Sequence, residues 1–193
     1  MRVFIVVIVL IFSLQSWTKA EDISDFEIEG MSIGDSLLDY MSEEEIKLNT
    51  SELVSTIREK KYYDVNINND NFETYETVQV ALKYNDKKYI IHGLDGILYF
   101  GSRIDDCYKK SNEVQDSLSS MFKNAKMIER DIVKHPDDPT GETTTKDTFF
   151  ILKSKDIITI GCYNISKKLE EMYQDQFRVS LWTSELNKWL TTF

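Results

Sequence analysis

The sequence predicts an α+β fold, with one or more antiparallel sheets packed against one long helix and a C-terminal helix in a single disulfide-closed domain. Three features point to it. Stretches of the chain between about residues 75 and 182 alternate apolar and polar side chains with period two. After Ser102 the period changes to 3.6, and it does so again after Ser184. The two cysteines fall one on the long helical stripe and one on a strand face, where a bridge ties helix to sheet.

The elements follow in order. Residues 1–20, MRVFIVVIVLIFSLQSWTKA, have the layout of a secretory signal peptide: Arg2, an apolar run from Val3 to Leu14, and a polar stretch ending Thr18-Lys19-Ala20. The apolar run is shorter than the ~18–20 residues that span a bilayer, so cleavage after Ala20 is expected, without a stable membrane anchor afterwards. The mature part, residues 21–193, is expected to be one domain. Its acidic start, Glu21 to Glu29, reads as an edge strand or lead-in. Residues 36–41 read as a helical turn. Ser42 and Glu45 have the spacing of a capping box, which predicts a short helix over 42–48.

Val78, Val80, Leu82 and Tyr84 alternate, Asn85-Asp86 supply a turn, and Lys88 to Phe100 continue as a strand, so 75–100 reads as a hairpin bent near Gly93 and Gly96. Ser102 is the expected cap of the long helix, whose stripe is Ile104, Cys107, Tyr108, Val114, Leu118, Met121 and Phe122. Strands are expected over 126–133, 146–153, 156–163 and 177–182. A terminal helix begins at Ser184 with Leu186, Trp189, Leu190 and Phe193 on one side.

Composition narrows the partners. Loss of Arg2 and Lys19 with the leader takes the formal net charge from −10 to −12, which disfavours nucleic acid, because a basic stripe supplies that affinity. An even cysteine count in an oxidising compartment reads as a Cys107–Cys162 bridge. The expected location is therefore periplasmic or extracellular.

The sharpest chemical motif is Gly34-Asp35-Ser36-Leu37, which resembles the signature of the GDSL (SGNH) ester hydrolases, with Ser36 as the nucleophile. That family also uses a Gly-x-Asn-Asp block and a C-terminal Asp-x-x-His. Here Asn69-Asp70 follows Asn68 instead, and Asp131 and His135 stand four apart, before Pro136. The local alternative is that Asp35 or Ser36 caps a turn. His92 and His135 are the two imidazoles available as bases; His92 sits in an alternating strand and His135 in a loop, positions that read as structural. Asn66, Asn68 and Asp70 alternate like the first ligands of a calcium loop, but the sixth and twelfth positions are Asn71 and Thr77 in place of Gly and Glu. An Asn-rich turn is the expected reading. Neither a metal site nor a cofactor is expected, and Asp137 to Gly141 reads as a turn between strands. Asn49-Thr50-Ser51 and Asn164-Ile165-Ser166 match the glycosylation sequon of eukaryotic hosts.

The segments FEIEGMSIGDSLLDYMSEEEIK (26–47), NDKKYIIHG (85–93), CYKK (107–110) and GCY (161–163) together resemble a group of short exported proteins of marine bacteria with no assigned function. The resemblance implies that the paired Cys-Tyr positions are structural, and it carries no catalytic residues. The expected function is an exported, non-catalytic binding or interaction module for an unknown protein or small-molecule ligand. The alternatives are a Ser36 ester hydrolase and a cell-envelope structural or assembly factor.

Overall fold

The structure, a computed structural model, describes residues 22–51, 60–135, 138, 140–168 and 174–191. The expected leader, Pro136, Asp137, Pro139 and Phe193 lie outside the described residues. The fold is the expected single α+β domain: a nine-stranded antiparallel sheet, one long helix packed on it and a C-terminal helix.

The strands are β1 (Thr50–Ser51), β2 (Tyr62–Asn68), β3 (Thr77–Lys83), β4 (Ile91–Gly101), β5 (Lys126–Glu129), β6 (Val133–Lys134), β7 (Thr144–Ile151), β8 (Ile157–Asn164) and β9 (Asp175–Trp182). The helices are α1 (Glu43–Leu48), α2 (Ile104–Met121) and α3 (Ser184–Thr191). Spatial order is β1-β2-β3-β4-β9-β8-β7-β5, and β6 also pairs with β7.

Alternation assigns the two sheet faces. Val65, Val78, Val80, Leu94, Phe177, Val179, Leu181, Ile158 and Ile160 point to one side and form the main core with Cys107 and Leu118 of α2. Ile23, Ile28, Met31 and Leu37 from the N-terminal segment and Ile46 from α1 fill the same layer. The second face carries a smaller cluster, Tyr62, Ala81 and Leu186, flanked by Trp182, Trp189 and Leu190, where α3 docks. Both tryptophans therefore belong to the α3 contact, partly buried.

The Cys107–Cys162 bridge forms as expected, with Sγ–Sγ 2.01 Å and Cα–Cα 5.9 Å, and it joins α2 to the core face of β8. Ser42 caps α1 in a reciprocal box: its Oγ accepts the Glu45 N–H, and the Glu45 carboxylate accepts the Ser42 N–H at 2.8 Å.

Four sequence expectations are corrected in detail. The lead-in forms a 3₁₀ turn, Ile23–Asp25, capped by Asp22, because Ile23 is needed in the core. The N-cap of α2 is Arg103, which makes no side-chain cap bond, in place of Ser102; Asp105 and Asp106 supply the negative first turn instead. The strand expected over 126–133 divides into β5 and β6 on the same partner, β7. Finally, β4 starts at Ile91 because Asp86 holds the preceding residues in a turn, its carboxylate accepting the N–H groups of Lys88 (2.9 Å) and Ile90 (3.1 Å).

Candidate functional site

Residues 34–37 lie against the start of β4. Gly34 N–H donates to Ile91 O, Ile91 N–H to Asp35 O, and Leu37 N–H to Tyr89 O, at 2.9–3.0 Å. Gly34 has φ +96°, a conformation that favours glycine, so the first motif residue is fixed by backbone geometry. Asp35 accepts the Ser32 N–H (2.9 Å) and the Tyr40 hydroxyl (2.6 Å), and this bond holds the Tyr40 phenol up at about 12. The Ser36 hydroxyl donates to Lys88 O at 2.7 Å and accepts the Leu38 N–H at 3.3 Å, capping the 3₁₀ turn Leu37–Asp39. Ser36 is thus the cap of the turn, and Asp35 ties the turn to Ser32 before it and Tyr40 after it.

The histidines have other surroundings. The His92 ring meets Tyr62 edge-on, with centroids 5.7 Å apart, and burial holds its pKa below the usual value. The His135 ring lies 5.9 Å from Tyr163, and its backbone N–H donates to Thr143 O. The bridge consumes both thiols.

The Asn-rich segment is also corrected. Asn66 and Asn68 belong to β2 and bond across strands: Asn66 accepts from Gln79 (2.6 Å) and donates to Ser51 (2.9 Å), while Asn68 accepts from the Thr77 hydroxyl (2.8 Å). The turn begins only at Asn69. Among the described residues, no group of three or more His, Cys, Asp or Glu side chains is placed to hold a metal ion.

Two concave regions emerge. The first is an open groove of about 810 Å³ between the N-terminal segment, α1 and the loop after β2. A tight turn, in which Ile28 and Met31 exchange backbone hydrogen bonds, throws Glu29 (φ +51°) toward that loop. Its carboxylate accepts the N–H groups of Glu73, Thr74 and Tyr75, each at 2.8 Å. Glu27, Glu29, Glu45 and Glu73 ring the groove, and Tyr40, Met31, Met41, Ile67 and Phe72 supply its apolar surface.

The second region is a cavity of about 140 Å³ on the α3 side of the sheet, lined by Asp64, Gln79, Asp95, Arg178, Trp182 and Leu190 among others. Asp95 is buried, accepting from Arg178 Nη1 (3.2 Å) and Trp182 Nε1 (3.1 Å). Burial pushes its carboxyl up, and the Arg178 charge opposes this. Asp64, on β2, is pushed up to about 7 by burial and by the charge of Asp95. Arg178 Nε is buried with no hydrogen-bond partner among the described residues. The sequence reading missed this cluster, because its charges come from three strands that adjoin only through sheet topology. One signal was present: Asp95 interrupts the largely apolar and glycine-containing strand β4, where it stands in register with Ser180 of β9.

Among the described residues, no helix is long and apolar enough to cross a membrane. No family model matches the chain, nor does any curated protein or solved structure.

Proposed function

We propose that the chain is an exported, non-catalytic binding module that takes a basic peptide or a basic segment of a protein partner in the groove beside Glu29. One observation carries the reading. The groove combines an apolar surface with four carboxylates, one of which, Glu29, is fixed in place by three backbone N–H groups. Fixed acceptors beside apolar surface favour ligands that bring both cations and alkyl or aromatic groups. The formal charge, −10 for the full sequence and −12 without residues 1–20, steers such partners to the chain. Ser36 supports a non-catalytic role, since its hydroxyl is engaged by two backbone groups.

Export is part of the same proposal, supported by the leader-like first twenty residues, the likeness to short exported marine bacterial proteins, and a disulfide that suits an oxidising compartment.

The test is calorimetric titration of the purified protein with a short Lys- and Leu-containing peptide and with its Glu-for-Lys counterpart. Saturable binding of the basic peptide alone, weakened at least about tenfold by combining Glu27→Gln with Glu73→Gln, is expected. Equal behaviour of the two peptides removes the reading. Turnover of a chromogenic short-chain ester that disappears in Ser36→Ala would replace it with the hydrolase.

A further inference from the structure

The cavity under α3 is separate from the groove, and its chemistry is more specific. Two carboxyls, Asp64 and Asp95, share it with one guanidinium, Arg178. Arg178 Nη1 and the Trp182 indole N–H donate to Asp95, and Arg178 Nε is left without a partner among the described residues. Asp64 is a half-buried carboxyl in the same lining and shares the single Arg178 charge with Asp95. With both carboxyls ionised, the cavity is one positive charge short.

We propose that this cavity binds a small organic ammonium ion, held by Asp64 beside the Trp182 ring, with its alkyl part against Leu186 and Leu190. Size sets the class: about 140 Å³ is the liquid volume of roughly five waters, which suits a ligand of a few heavy atoms. The lining sets the rest. An anion would meet two carboxyls against one guanidinium. A divalent metal would find two carboxyls and a neighbouring positive charge, short of the oxygen set it takes. An alkylammonium gains a carboxylate, an aromatic wall and apolar side chains together. The charged and titratable groups facing Asp64 are Asp95 on β4 and Arg178 on β9, whereas α3 presents leucines. The bound cation would favour ionised Asp64, so binding near neutral pH releases a proton.

Thermal denaturation of the purified protein in ethylammonium chloride, compared with sodium chloride at the same concentration and pH, tests the proposal. A midpoint at least about 3 °C higher in ethylammonium is expected for the wild type, and no difference for Asp64→Asn. Equal midpoints in the wild type, or a rise that persists in Asp64→Asn, would overturn it. A second measurement needs no variant: titration of the wild type with ethylammonium at pH 6.5 in two buffers of different ionisation heat. Heats that differ between buffers support the site, and identical heats overturn it. Basic-peptide binding in the groove is expected to be unchanged by Asp64→Asn, so either proposal can fail alone.

Discussion

The Leu186 side chain of α3 occupies the space that a Cβ on Gly93 would need: an added methyl would lie 2.5 Å from Leu186 Cδ2 and 2.9 Å from Ala81 Cβ. The missing side chain on β4 is therefore what lets α3 approach the sheet. Gly93→Ala is expected to lower stability by about 1–3 kcal/mol through overpacking. Urea denaturation of the two proteins measures it, and an unchanged midpoint would mean that α3 shifts freely.

Ser36→Ala removes a turn cap and its bond to Lys88 O. The expected cost is about 1 kcal/mol. Ser36→Thr, which keeps the hydroxyl, should recover most of it in the same denaturation assay.

Asp64 gives a pH signature of definite sign. Its carboxyl is raised from 3.8 to about 7 in the fold. The unfolded chain therefore loses this proton first, and the group's contribution to stability falls as pH rises from about 4 to 7. After discounting for its partial exposure, the loss is about 2 kcal/mol. The difference in unfolding free energy between wild type and Asp64→Asn should move by that amount across the window, in favour of the variant at pH 8.

Glu185 has the opposite sign. Lys83 and Lys61 hold its carboxyl down at about 2, from 4.5. The stability it contributes is present above the ordinary carboxylate range and is lost as pH falls from about 4.5 toward 2. Glu185→Gln should flatten that acid limb and lower the midpoint slightly at pH 7, an effect that shrinks in added salt because the three side chains are partly exposed.

The disulfide closes a sequence separation of 55 residues. Cys107→Ser combined with Cys162→Ser should cost about 4 kcal/mol by the chain-entropy relation. The double variant's denaturation midpoint reports it.

Local signals made much of this architecture legible. The Ser42–Glu45 box, the α2 stripe around Cys107 and Leu118, and the placing of Ile158, Ile160 and Cys162 on one face follow from spacing alone. The start of α2 was misread because Ser102 is the better cap by residue type, whereas the helix begins one residue later, with Arg103 paired to Asp106. Asn66 and Asn68 read as a turn because strand propensity is low for asparagine; cross-strand bonds to Gln79 and Thr77 overrode it. The groove was invisible for a different reason. It depends on Glu29 reaching backbone more than 40 residues away, and no periodicity encodes that reach.

The last strand in the chain lies near the middle of the sheet. A growing polypeptide that has emerged as far as β8 still has β4 exposed along one edge and β8 along another, with no strand between them until residues 175–182 arrive. Strand order thus makes β9 a keystone. Two half-sheets can form early, but the sheet becomes continuous only when residues 175–182 have arrived, so a nascent chain stalled before Asp175 would present two open edges to its neighbours.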